Sequence, residues 1–182
     1  LKQSFGVMDD LKLSLNAVTV LQKRYLRRDR SGKIIETPVQ MFHRVATSVA
    51  SCEKKKDQKK WEEQFFEMMR TLDFLPNTPC LVNAGTRLNQ LFGCFVLEVP
   101  DSIEGIFGAL KHSAVIFQSG GGVGYSFSKL RAAGSIVGST NRTASGPVSF
   151  MEVFDKGADV VKQGGVRRGA LMGVLRVDHP DI

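Results

Sequence analysis

The chain has 182 residues, of which 42% are apolar, 24% charged and 8% aromatic, and its 25 basic and 18 acidic side chains leave a net charge of +7. This length allows one domain, or a domain plus a lobe, with a buried core, and the composition excludes whole-chain disorder, collagen and coiled coil. No apolar run approaches the roughly 20 residues of a membrane span, and neither a signal pattern nor a disulfide framework is present in a chain with Cys52, Cys80 and Cys94 alone, so a cytoplasmic protein with no membrane partner is expected.

The chain changes style along its length. Only Gly6 and Gly32 precede residue 85, and the other glycines follow it. Thr37, Pro38 and Gln40 form a helix start, with a capping residue, a first-turn proline and the far half of a capping box. Met41, Phe42, Val45, Ala46 and Val49 continue it as a helical stripe. Residues 52–60 read as a polar loop, and Trp61, Phe65, Met68, Met69 and Leu72 as a second stripe that packs in a core. Pro76 and Pro79 predict the end of that helix and the start of an extended segment. Residues 94–99 then read as a short buried strand. Asp101 and Ser102 can cap a helix carrying Ile103, Ile106, Phe107, Leu110, Ala114 and Phe117, which Gly120 ends. Residues 123–130 read as a strand, 134–146 as a polar loop, Pro147 as the opening of a helix, 163–168 as a glycine–arginine loop, and 170–177 as a last strand. The order strand, helix, strand, helix, strand predicts an α/β architecture. A helical region over 1–76 would precede an α/β region over 77–182. The chain stops on an apolar residue just after a turn signal, which reads as a segment of a larger protein.

Taken singly, the motifs leave alternatives open. The run GGGVG at 120–124 lets backbone approach a ligand closely. It is not a P-loop, since no Gly-Lys-Ser/Thr follows, and Phe127 stands where a dinucleotide fingerprint needs glycine. On the motif alone a structural turn is an equal reading. The loop at 163–168 places an amide and two guanidiniums on a glycine hinge that could reach a base or phosphate, or simply turn at the surface. Cys52, Cys80 and Cys94 default to small core hydrophobes. His43, His112 and His179 show no metal-ligand spacing, Asp178, His179 and Asp181 sit at a turn, and no metal site is predicted. The positive balance favours anionic partners, but the basic runs at 23–30 and 54–60 also contain acids and read as solvated faces.

Taken together, the motifs resemble the catalytic subunit of ribonucleotide reductase. The series is NTPCLVNAG at 77–85, GCFVL at 93–97, Asp101 and Ser102, GGGVGYSF at 120–127, LRAAGS at 130–135, ASGPVSFM at 144–151 and KQGGVRRG at 162–169. Residues 24–26 and 36–38 are similar to that family's N-terminal helical region, and GGGVGYSF is most similar to its adenosylcobalamin-dependent class II branch. The resemblance implies an N-terminal helical region followed by the first strands and helices of a ten-stranded α/β barrel, incomplete in this segment. It implies replacement of a ribose 2′-OH by hydrogen through thiyl-radical chemistry, with deoxynucleoside triphosphates (dNTPs) controlling substrate choice. The implied partners are a ribonucleotide substrate, dNTP effectors, a thioredoxin-like reductant and a second copy in a homodimer, with no direct nucleic acid binding.

The resemblance also implies residue roles. Cys94 corresponds to the first thiol of the redox pair, which reverses the default of an inert core thiol. Thr78 corresponds to a substrate-phosphate contact, and Gly93 stands where a serine is often found. Gly121 and Gly122 correspond to backbone that approaches the substrate, where a side chain would collide with it. Asp101 and Ser102 correspond to the effector site, and Arg131 to an effector-phosphate contact. Gln163 and Arg167 correspond to the loop that reads the substrate base according to the effector bound, a coupling element between two sites. Cys80 takes no redox role. The thiyl cysteine, the second redox cysteine and the cobalamin-facing surface are expected downstream, so this segment alone is expected to be inactive. A class I reductase of the same fold, a standalone deoxynucleotide-binding module and a basic nucleic-acid-binding domain are the competing readings. In a complete enzyme, Arg167→Ala should weaken effector-dependent substrate choice more than overall turnover. Turnover assays with all four substrates would show it, and a uniform loss would remove the base-reading role.

Overall fold

The computed structural model describes residues 1–161 and 169–182. Gln163 and Arg167, and the loop that holds them, lie outside the described residues. The described chain forms two compact units, Leu1–Phe92 and Gly93–Ile182.

The first unit is helical. Two 3₁₀ turns, Gln3–Phe5 and Asp9–Leu11, lead into α1 (Leu15–Arg24), α2 (Pro38–Ala50), α3 (Gln58–Thr71) and the short α4 (Thr78–Asn83). The expected capping box opens α2. Gln40 N donates to Thr37 Oγ1 at 3.3 Å, and Thr37 N donates to Gln40 Oε1 at 2.8 Å. The stripe of Met41, Phe42, Val45 and Ala46 is buried, with Val7, Leu11, Val18 and Met69 in the same core. Trp61 stacks on Phe65 at 5.7 Å between ring centroids, within α3. The segment after Pro76 is not extended. Asn77 Oδ1 accepts from Cys80 N at 2.9 Å and so caps α4, and Pro79 falls in the first turn, where its missing N–H has no intrahelical partner to lose.

That short helix moves the boundary between the units. The sequence reading divides the chain at 76/77. In the structure Cys80, Leu81 and Ala84 are buried in the helical core, and the units part at Phe92 and Gly93. A buried polar network fixes α4 in place. Arg44 on α2 donates from Nε to Glu36 Oε1 at 2.6 Å and from Nη2 to Glu36 Oε2 at 3.0 Å. Its Nη1 and Nη2 also donate to Ala84 O at 2.6 Å and Leu81 O at 3.1 Å. These are carbonyls that the end of a helix leaves without partners. Glu36 Oε2 accepts in addition from Arg27 N at 3.2 Å. The charges are buried, paired and fully hydrogen-bonded, the condition under which a buried ion pair is tolerated.

The second unit is α/β. In chain order it contains β1 (Cys94–Glu98), α5 (Ile103–Ser119), β2 (Gly122–Ser126), β3 (Ile136–Val137), β4 (Arg142–Thr143), α6 (Gly146–Val160) and β5 (Leu171–Val174). Strands β1, β2 and β5 form a parallel sheet in the order β1-β2-β5, and β3 pairs antiparallel with β4 inside the loop expected at 134–146. Ser102 Oγ accepts from Gly105 N at 3.0 Å to cap α5, and Gly120, at φ 100°, ends it in the left-handed conformation. Helices α5 and α6 cover one face of the sheet. Val123, Tyr125, Phe127, Phe117 and Phe154 make the core there, with Tyr125 edge-on to Phe154 at 4.7 Å between centroids. The buried Tyr125 hydroxyl donates to Ser113 Oγ at 2.6 Å, and Ser113 donates to Ala109 O at 2.6 Å.

The strands are shorter and less covered than the apolar runs predict. β2 stops at Ser126 and β5 at Val174. Phe127 N still donates to Val174 O at 2.9 Å, but Leu130 N then turns back to Phe127 O at 3.0 Å. β1 alternates between exposed and half-buried positions, and Val96 is 86% exposed. Among the described residues the helices cover one face of the sheet, so β1 is half-buried rather than the buried strand expected. No described helix is long and apolar enough to cross a membrane.

Arg44→Ala should lower the stability of the chain by about 3–5 kcal/mol, because Glu36 would stay buried without its cation. Urea unfolding followed by circular dichroism measures it, and a loss below about 1 kcal/mol would show that the network is dispensable.

Candidate functional site

In a parallel pair, residues opposite one another project to the same face, and alternate residues share it. Cys94 pairs with Gly122 and Val96 with Gly124, and Gly124 pairs in turn with Met172 of β5. The face opposite α5 and α6 therefore carries Cys94 and Val96 on one side of β2 and Met172 on the other. The positions between them on β2 are glycines. Cys94 is an exposed free thiol, and Val96 and Met172 are exposed as well. The result is a shallow trough floored by bare backbone, with a thiol at its amino-terminal end. Gly93 stands at the same end, its carbonyl accepting from Gly122 N at 2.8 Å.

The glycines of the 120–124 run do different jobs. A Cβ at Gly121 would lie 2.6 Å from Ile116 Cγ2 and 2.8 Å from Phe95 Cε2. The side chain that Gly121 excludes would thus meet the protein's own packing. A Cβ at Gly122 would sit 3.3 Å from Ala170 O, a tight backbone contact. At Gly124 the nearest atom would be Phe95 O at 3.9 Å. Gly124 is the position whose missing side chain leaves room above the strand. The sequence reading did not single it out, although it was within reach: it lies two residues from Gly122 on the same strand face.

The second group of expected residues lies at the other end of the sheet. Asp101 follows β1 and Arg131 follows β2, and the structure brings them into contact. Arg131 Nε donates to Asp101 Oδ2 at 2.8 Å and Arg131 N to Asp101 Oδ1 at 3.4 Å. Both side chains are about one-third exposed. The Nη nitrogens of Arg131 make no hydrogen bond among the described residues, so they are available to an anion. The hydroxyl of Ser102 is committed to capping α5 but keeps its own proton to donate. One strand length and a turn separate this cluster from Cys94, roughly 15–20 Å.

The remaining expected residues lie on other elements. Thr78 is the first residue of α4 in the helical unit, where its Oγ1 hydrogen-bonds the Tyr25 hydroxyl at 3.0 Å. Cys80 is buried, and desolvation pushes its thiol pKa up against the opposing pull of Arg44, which disfavours the reactive thiolate. Cys52 is exposed at the end of α2, contrary to the default of a core thiol. Among the described residues no three His, Cys, Asp or Glu side chains converge as a metal site would require. His179 lies in a turn after β5, as expected, and is buried against the segment that carries Arg131.

Two family models match the chain. The all-alpha domain of ribonucleotide reductase matches residues 11–89, and the ribonucleotide reductase barrel domain matches residues 92–182. Among curated relatives, a vitamin B12-dependent ribonucleoside-diphosphate reductase of Mycobacterium tuberculosis is 50% identical over the whole of this chain and 27% of its own length. One from Thermoplasma acidophilum is 45% identical over the whole chain and 31% of its own length. The subunit alpha of a ribonucleoside-diphosphate reductase of Helicobacter pylori is 32% identical over 95% of the chain and 22% of its own length. The chain thus spans less than a third of these relatives.

Gly121→Ala and Gly124→Ala should separate packing from binding. The first should cost about 1–3 kcal/mol in urea unfolding, since Ile116 and Phe95 must shift. The second should leave the unfolding midpoint nearly unchanged and act on ligand binding and turnover. Equal destabilisation by both would show that the trough is not open.

Proposed function

The chain belongs to the ribonucleotide reductase family, and from that premise we propose that it supplies the helical region and the first barrel strands of a vitamin B12-dependent ribonucleoside-diphosphate reductase. The observation that carries the proposal is the Cys94 thiol, exposed on the open face of the parallel sheet beside the bare backbone of Gly122 and Gly124. A flat nucleotide sugar can approach a glycine-floored trough more closely than any strand bearing side chains there. In this reading Cys94 is one of two thiols that deliver electrons. The two thiols are oxidised to a disulfide, the substrate gains the hydrogen, and the 2′-hydroxyl leaves as water. A thioredoxin-like dithiol then restores the pair by exchange. Gly93 opens the backbone before the thiol, and Thr78 takes a substrate phosphate.

At the far end of the sheet, the Nη nitrogens of Arg131 take an effector phosphate as charge-assisted donors, while Asp101 orients the guanidinium and, with Ser102, offers polar groups to the effector sugar. The exposed pair with Asp101 is worth little by itself, so sharing Arg131 with a phosphate costs little. Gln163 and Arg167 are assigned to reading the substrate base. The homodimer is assigned to the exposed apolar side chains of α5 and α6, among them Phe107 and Val160, which line a cleft of about 500 Å³.

Identity of 45–50% with the B12-dependent relatives, against 32% with the subunit alpha, favours adenosylcobalamin over a separate radical-bearing subunit. When bound, the corrinoid supplies the radical. No convergent ligand cluster exists among the described residues, and the segment's residues are not assigned to hold it. In the complete enzyme, Cys94→Ser should abolish multiple turnover driven by a dithiol while leaving dNTP binding intact. Steady-state assays with dithiothreitol as reductant test it, and full activity of the variant would remove Cys94 from the redox pair.

A further inference from the structure

The turn after β5 holds the segment that presents Arg131. Arg176 N donates to Ser128 Oγ at 3.0 Å and starts the contact. His179 is buried, and Asp181 N donates to its Nδ1 at 3.1 Å. That bond leaves the ring proton on Nε2, which donates to Leu130 O at 2.8 Å. Asp181 Oδ2 accepts from Ala133 N at 2.8 Å. Arg131 is therefore bracketed by a carbonyl held on His179 and an N–H held on Asp181, with the Leu130 side chain buried in the core. Gly146 makes the bracket possible. At φ +81° it opens α6, and a Cβ there would lie 2.7 Å from Asp181 Oδ2 and 2.8 Å from Ala133 N.

We propose that His179 and Asp181 are positioning residues for the Arg131 anion contact: the C-terminal turn of the segment fixes the backbone of 130–133 so that the guanidinium meets Asp101 and presents its Nη nitrogens outward. The inference rests on the effector reading of Arg131. The turn is continuous with β5, the strand that follows the loop assigned to base reading. A change in the position of β5 would thus reach the segment of Arg131 through three hydrogen bonds.

The test is a double-mutant cycle on dNTP binding, measured by calorimetry in the complete reductase chain with dATP and dTTP as probes. Arg131→Ala should weaken binding about tenfold or more, the loss of a charge-assisted contact. Asp181→Ala should weaken it about fivefold or more. Asp181→Asn, which keeps an acceptor for Ala133 N, should recover most of that loss. The double variant Arg131→Ala/Asp181→Ala should bind no worse than Arg131→Ala alone, because Asp181 acts through Arg131. If Asp181→Ala does not fold, His179→Gln, which can keep a donor for Leu130 O but loses the Nδ1 acceptor, takes its place in the cycle. Additive losses would overturn the positioning role. Unchanged affinity in Asp181→Ala beside a weakened Arg131→Ala would overturn it while sparing the effector reading. Unchanged affinity in Arg131→Ala would overturn the effector reading itself.

Discussion

Parallel pairing of β1 and β2 is the constraint on which the second unit depends. Two parallel strands cannot be joined by a hairpin, so the chain must cross over, and α5 is that crossover. A crossover helix covers one face and leaves the other to whatever else the sheet meets. It also sends the two groups of functional candidates to opposite ends. Gly93 and Cys94 stand at the start of β1, and the glycine run leads into the start of β2. Asp101 follows β1, and Arg131 follows β2. The separation between the thiol and the guanidinium is thus a property of strand direction, set before any side chain is chosen.

The two arginine–carboxylate pairs show how burial decides what one chemistry does. Arg44 and Glu36 are enclosed, and the bonds that Arg44 makes beyond the pair end on carbonyls of α4 and of Ala84, which caps it. Such a pair holds elements together, with each of the three guanidinium nitrogens engaged. Arg131 and Asp101 make a similar contact at the surface, where water competes and the Nη nitrogens make no bond among the described residues. Sequence alone does not distinguish them, because arginine and aspartate or glutamate at long separation look the same whether they are enclosed or exposed.

Most of the fold was legible where a local signal was strong. The capping box at Thr37 and Gln40, the stripe on α2, the cap at Ser102 and the left-handed end at Gly120 are each fixed by residues within one or two helical turns. The reading failed where tertiary contacts outvote local pattern. Pro76 and Pro79 look like helix breakers, yet Asn77 caps a helix whose first turn can hold a proline and whose apolar residues enter the helical core. Cys94 to Val99 reads as a buried strand, yet among the described residues helices cover one face of the sheet and β1 is only half-buried. Of the candidate site, the sequence pointed to Cys94, Asp101 and Arg131 through ordered motifs, and their contacts needed coordinates. The division of labour among the glycines was hidden, since a glycine required by Phe95 and one that leaves open space are the same letter.

The core of residues 1–92 closes on itself. Val7, Leu11, Phe42, Met69 and Leu81 pack together, and no buried member of that cluster comes from beyond Ala84. A chain emerging from the ribosome has all of these residues before β1 is made. The helical part can therefore collapse early, while the sheet must wait for β5 and for the long crossovers between its strands. During that interval the exposed side chains of β1 have no sheet to join, and an already folded helical neighbour reduces the length of unstructured chain available for misassociation. Order of synthesis and order of burial run in the same direction here.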